Sequence, residues 1–236
     1  MKDLLHDNLA RVQDRIAAAA ARAGRGASTI TLVAVSKTHP VEALLAAYEL
    51  GVRHLGENRV EEAGTKLPAF RKAIDDPAVV FHMIGHLQSR KADDAVTLFD
   101  RVHSVDSVKL AQRLARFASK PLPVLLEVNV SGEESKYGFD GARPAELFSA
   151  VEAIASLPNL QLDGLMTMAP IVDNPEQARP VFRALRELRD EIEARYSHIK
   201  LPQLSMGMTD DFEVAIEEGA TLVRIGRAIF GEREQG

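Results

Sequence analysis

The sequence predicts one α/β domain over residues 1–236, a single (β/α)8 TIM barrel with an extra helix at its N-terminus. Three observations predict it. Eight short apolar runs alternate with helix-forming stretches from residue 30 onward, the pattern of repeated βαβ units around a parallel sheet. Eight units match barrel closure, and 236 residues lie near the usual size of that fold, about 250. No linker rich in Pro, Gly or Ser breaks the alternation, and no internal repeat or low-complexity tract is visible.

The elements follow in order. Residues 3–23 carry Leu4, Leu5, Leu9, Val12, Ile16 and Ala20 on one helical stripe, and Gly24 and Gly26 end the helix. The strand 30–36 leads through Pro40 into a helix at 41–50, closed by Gly51. A second strand spans Arg53 to Asn58, with a helix from Val60. The third strand, 79–85, precedes a helix at 87–96, and the fourth, 101–105, precedes one at 107–118, with Asp106 as its expected N-cap. Pro123–Val130 is the fifth strand, followed by a glycine-bearing loop and a helix at 144–156. Leu160–Met168 is the sixth; Pro180 marks the first turn of the long helix at 176–196. Gln203–Gly207, a helix from Asp210 to Glu218, and Thr221–Gly226 complete the set.

Composition narrows the function. A net charge of −5 argues against nucleic acid or an acidic membrane surface as partner, since either calls for a basic face. The absence of cysteine excludes disulfides, thiolate zinc sites and cysteine nucleophiles. No apolar stretch approaches the ~20 residues of a bilayer span, and the first 25 residues lack a signal-type apolar core. Cytoplasm is the expected location.

In such a barrel the reactive groups come from the C-terminal ends of the strands. Lys37 stands at one such lip, after Thr31–Val35 and Ser36. An unpaired buried ammonium is costly, so two readings stay open: a desolvated neutral amine that attacks an aldehyde, or a lysine whose stem packs while its head reaches water. Ser205-Met206-Gly207-Met208-Thr209-Asp210 leaves a strand for a helix, and its amides and hydroxyls suit a phosphate dianion. Ile225-Gly226-Arg227 is a second glycine turn beside it, and barrels often bind phosphate between those two loops. Arg224 lies in a buried run and needs a carboxylate or an acceptor on a ligand. His82 and His86 straddle a strand end, with no acidic third ligand near in sequence, so no metal is expected there. Ser205 lacks a G-x-S-x-G setting, which leaves a hydrolase nucleophile unsupported. The long polar loop 131–139 belongs on the rim of the mouth.

Taken together, these stretches closely resemble the pyridoxal phosphate homeostasis protein family, single-domain proteins with the barrel of the alanine racemase N-terminal domain. The likeness is carried by Leu32-Val33-Ala34-Val35-Ser36-Lys37, Leu55-Gly56-Glu57-Asn58, His82-Met83-Ile84-Gly85-His86-Leu87-Gln88, Val128 to Lys136, Gly164 to Met168, Leu204 to Met208, and Val223-Arg224-Ile225-Gly226. The chain departs from the family at Arg90, where asparagine is common, and at Tyr137. The resemblance implies that Lys37 carries pyridoxal 5'-phosphate (PLP) as a Schiff base. It also implies that Ser205, Gly207, Thr209 and the Gly226 backbone hold the phosphate, that Arg224 faces the pyridine nitrogen, and that Asn58 lies near the ring hydroxyl.

A permanent cation at the ring nitrogen makes the ring a poorer electron sink, where full sinks use a carboxylate. Racemases of this barrel type add an acid/base residue from a C-terminal domain, for which ten residues after the last strand leave no room. The expectation is therefore a PLP carrier without strong catalytic activity, which buffers the cofactor or delivers it to apo-enzymes, and which is a monomer. Two rivals remain. One is a weak racemase using Lys37 with Tyr137 or a histidine; the other is a Schiff-base aldolase, for which Glu57 is the strand-end acid on offer. Lys136 in the rim loop is either a transient aldehyde acceptor or a solvated lysine.

Overall fold

In the computed structural model, which describes residues 2–133 and 136–231, eight parallel strands close into a ring. These are β1 (Thr31–Val35), β2 (His54–Glu57), β3 (Val80–Met83), β4 (Arg101–Val105), β5 (Leu122–Asn129), β7 (Leu160–Met166), β8 (Gln203–Ser205) and β9 (Leu222–Ile225). Each pairs with its neighbour in the chain, and β9 pairs with β1 to complete the barrel. The remaining strand, β6 (Phe139–Asp140), is two residues long and hangs on the end of β5 outside the ring. The sequence carries no cue for it, because two residues are too few to establish a period.

Alternation along the strands sorts their side chains into two layers. Val124, Leu126 and Val128 of β5 join the large core beneath the helices, whereas Leu125 packs with Val33, Met166 and Leu222 in a small cluster of its own. That cluster is the apolar filling of the barrel. Around it the interior is polar: His82, His103, Ser205, Glu127 and Arg224 are all buried.

The helices α2 (Val41–Glu49), α3 (Val60–Ala73), α4 (Ala92–Leu98), α5 (Val108–Phe117), α6 (Pro144–Ala155), α7 (Arg179–Arg195), α8 (Phe212–Glu217) and the four-residue α9 (Arg227–Phe230) follow their strands. The extra helix, α1 (Lys2–Arg22), lies against α8 and α9. Its buried stripe is Leu5, Leu9, Val12, Ile16, Ala19 and Ala20. Leu4 is 63% exposed, because it sits one residue, and so about 100° of helix rotation, away from Leu5.

Other boundaries shift for identifiable reasons. The cap of α5 is Ser107, whose hydroxyl accepts from the Leu110 amide at 3.3 Å; Asp106 lies one residue too early and instead faces His86. The expected helix at 87–96 begins as a tight 3-10 turn at Ser89–Lys91 and becomes α-helical at Ala92. Strands six and seven stop at Met166 and Ser205, and the residues beyond them turn into the mouth.

Candidate functional site

Lys37 follows β1 by two residues and is half-buried. The turn that carries it is unusually constrained. Thr38 has φ +68°, left-handed backbone that costs a β-branched residue roughly 1–3 kcal/mol. Its amide donates to Glu62 Oε1 at 2.5 Å. Lys66 of α3 donates to the Ser36 carbonyl at 2.9 Å and the His39 carbonyl at 3.1 Å, so it spans the turn from both sides. The same ammonium lies 2.7 Å from Glu62 and 2.7 Å from Glu57, and Ser36 Oγ donates to Glu57 Oε1 at 2.7 Å. Burial pushes the Glu57 carboxyl up, against the hydrogen bonds from Lys66 and Ser36. Glu57 thus supports the Lys37 turn through Oε1, while its Oε2 is buried without a hydrogen-bond partner among the described residues.

The two glycine loops stand next to this turn because β9 pairs with β1 and β8 pairs with β9. Gly207 has φ +91°, and a Cβ there would come within 2.6 Å of the Ala215 methyl and 2.8 Å of Phe212 Cα. Only glycine lets the chain turn that closely onto α8. The Gly207 carbonyl accepts from the Arg224 amide at 3.0 Å, which ties the two loops together. Gly226 opens α9 and lies against the end of β1, where an added Cβ would meet the Val35 carbonyl at 3.1 Å. Thr209 is half-buried in the first loop. The helix α9 starts from Gly226, so its first turn lies beside the end of β1, the strand that leads to Lys37.

Arg224 is 4% exposed, and among the described residues no carboxylate lies within ion-pair distance of it. Its guanidinium donates to Ser205 Oγ at 2.5 Å and to the Thr167 carbonyl at 2.9 Å. Burial draws its pKa down to about 10, while Asp211 and Glu127 pull it up. Asn58 follows β2, next to β1, and its Oδ1 is buried without a hydrogen-bond partner among the described residues. Every residue expected to touch a cofactor therefore lies at the ends of four consecutive strands, β2, β1, β9 and β8.

The opposite side of the mouth carries the rim loop. Asn129 Oδ1 accepts from Ser131 Oγ and the Gly132 amide, and its Nδ2 donates to the Glu133 carbonyl. Lys136 is ion-paired with Glu133 and donates to the Met168 carbonyl at 3.1 Å. Tyr137 stacks on His86, with centroids 3.8 Å apart at 15°. His82 and His86 have separate surroundings: His82 lies in the barrel interior between His54 and His103.

Three features escaped the sequence. Lys66 looks like any lysine on an amphipathic helix. Glu127 was visible in principle, as a lone charge inside an apolar strand; its Oε2 is buried without a partner among the described residues, and burial, with Asp106 adding to it, raises its pKa to about 7. The link between His103 and Ser205, which are 102 positions apart, has no local signal at all.

An amine, two loops of amide donors, an isolated cation and an unpartnered amide oxygen converge on one side of a barrel mouth. Those groups fit a phosphorylated heteroaromatic aldehyde such as PLP. Comparison with known proteins agrees in outline. Residues 8–234 match the family model of the alanine racemase N-terminal domain. The chain is 46% identical over 231 residues to a pyridoxal phosphate homeostasis protein of Aquifex aeolicus, covering 97% of this chain and 98% of that one. It is 42% identical over 237 residues to the protein of that name from Escherichia coli K12, covering 99% and 98%. Among solved structures, PipY of Synechococcus elongatus with PLP bound superposes with a TM-score of 0.83 at 35% identity, over 96% of this chain and 100% of that one. An alanine racemase of Clostridium difficile shares the fold alone, at a TM-score of 0.71 and 17% identity, over 98% of this chain and 57% of that one.

Proposed function

The chain belongs to the pyridoxal phosphate homeostasis protein family, on the barrel of the alanine racemase N-terminal domain, and we propose that it holds PLP covalently and reversibly, buffering it and delivering it to apo-enzymes. The observation that carries this reading is the position of Arg224. It is a buried cation without a carboxylate partner among the described residues, on the strand between those of Lys37 and Gly207. A ligand acceptor is what such a guanidinium lacks.

When bound, the cofactor supplies an aldehyde that captures a primary amine reversibly. Lys37 Nζ would supply that amine, held at the mouth by the turn after β1. The Lys66 clamp keeps the Lys37 turn in its strained form and so fixes where that amine stands. Thr209 and the amides around Gly207 and Gly226 would bind the phosphate; Ser205, expected among them, has its hydroxyl against Arg224 and His103. Asn58, at the end of β2, would lie near the ring hydroxyl. Arg224 donates to the ring nitrogen and, as a cation, opposes its protonation, which limits electron withdrawal and favours carriage over chemistry at a substrate carbon. The recipients on this reading are apo-enzymes that need PLP.

The test is an absorption spectrum of the purified protein with added PLP, before and after borohydride, for wild type and Lys37→Ala. The expected result is a visible band that borohydride removes, leaving a pyridoxyl adduct on Lys37 and none in the variant. A protein that stays colourless with PLP would overturn the assignment. Solvent deuterium entering Cα of alanine or serine with turnover would favour the weak racemase instead.

A further inference from the structure

Five side chains from five strands form one unbroken hydrogen-bonded chain through the barrel. His54 Nδ1 lies 3.0 Å from His82 Nε2, and His82 Nδ1 lies 2.8 Å from His103 Nε2. His103 Nδ1 lies 2.8 Å from Ser205 Oγ, which Arg224 reaches at 2.5 Å. The strands β2, β3 and β4 are neighbours, as are β8 and β9, but β4 and β8 are not. The His103–Ser205 bond therefore crosses the lumen.

Arg224 can only donate, so Ser205 Oγ must accept from it. The serine then has one proton to give, and among the described residues the other hydrogen-bond partner of its hydroxyl is His103 Nδ1. If that nitrogen accepts, His103 is the Nε2–H tautomer and donates to His82 Nδ1. His82 is then also Nε2–H and donates to His54 Nδ1. The opposite direction would have Ser205 accept from both sides and would strand its own proton in a fully buried position, a cost of about 1–3 kcal/mol. The forward direction ends instead on His54, which is half-buried while the other two histidines are fully buried. Burial holds His82 and His103 well below the usual imidazole range, and Arg101 adds to this from the N-terminal end of β4. Both rings are neutral, as a one-way chain requires.

We propose that His54, His82 and His103 are positioning residues: with Ser205 they form a hydrogen-bonded chain whose direction Arg224 imposes, and the chain in return holds the guanidinium in the orientation that serves a ring nitrogen. This rests on the PLP reading above and deepens it. A consequence is that the Ser205 hydroxyl proton is committed to His103, so the serine acts on the cofactor through Arg224.

Nitrogen–proton correlation spectra of the unliganded protein test the chain without reference to PLP. Wild type is expected to show His82 and His103 as neutral Nε2–H tautomers at pH 7. Ser205→Ala is expected to lose the fixed tautomer at His103, and Ser205→Thr, which keeps the hydroxyl, to retain it. An Nδ1–H tautomer or an imidazolium at either ring in wild type would overturn the proposal. With PLP labelled at its ring nitrogen, Ser205→Ala is expected to shift that nitrogen signal and to weaken binding about tenfold, with both restored in Ser205→Thr. Normal tautomers in wild type but an unmoved ring-nitrogen signal in Ser205→Ala would refute the link to the cofactor. If wild type binds no PLP, the carrier reading fails while the tautomer result still stands or falls alone.

Discussion

The ammonium of Lys66 lies 2.7 Å from the Glu57 carboxylate, and the two are 8% and 0% exposed. Their partnership sits behind the turn that carries Lys37, since Lys66 also holds the carbonyls of Ser36 and His39. Removing one member of a buried pair strands the other charge, at about 3–5 kcal/mol. Lys66→Met should therefore lower the unfolding free energy by that much, read as a lower urea midpoint at unchanged m-value, and Glu57→Gln added to it should restore part of the loss. A single variant within ~1 kcal/mol of wild type would show that the pair is not needed.

What could be read from the chain and what could not divides along one physical line. That Lys37, Gly207, Arg224 and Gly226 lie at the mouth was legible, because strand periodicity fixes which residues reach a barrel's mouth and eight units fix which strands adjoin. Glu127 breaks an apolar run much as Arg224 does, so the same reasoning applied evenly would have found it. Lys66 is different. Its burial comes from carbonyls about thirty positions earlier in the chain, and an amphipathic helix holds no record of that. The histidine chain is further still from local pattern: it needs the closed ring before His103 and Ser205 can meet.

Glu127 sets a pH dependence. Below about pH 4.5 its carboxyl is protonated in both the folded and the unfolded chain. Between there and its folded value of about 7, the folded chain keeps a proton that the unfolded chain has lost. Stability from this group therefore declines as pH rises through that window. Glu127→Gln has no such proton, so its advantage over wild type should grow by roughly 2–3 kcal/mol between pH 5 and pH 8. Parallel urea titrations at the two pH values measure it, and equal pH slopes for the two proteins would remove the assignment.

Gly207→Ala combines two penalties. Its backbone is left-handed, and the new methyl would overlap Ala215 and Phe212. Together these should cost about 2–4 kcal/mol, read as a lower urea midpoint at unchanged m-value. Where the variant is still folded, PLP binding should fall by more than tenfold and pyridoxal binding by much less, because the displaced loop serves the phosphate. An equal loss for both would mean that the loop does not hold that group.

Tyr137 stacks on His86, whose Nδ1 lies 3.3 Å from Asp106 Oδ2. The stack joins the loop after β5 to the loop after β3, over the side of the mouth opposite Lys37. An aromatic pair of this kind contributes about 1 kcal/mol, or roughly fivefold in an opening equilibrium. Removing it should therefore change how fast the mouth opens more than how tightly the site binds. Tyr137→Ala is expected to release PLP to an apo-enzyme trap about fivefold faster, with Kd within twofold of wild type because capture quickens equally. His86→Ala should behave the same way, and the double variant should add nothing, since the two rings form one contact. Additive effects of the two substitutions, or a release rate that neither changes, would show that the stack does not gate the mouth.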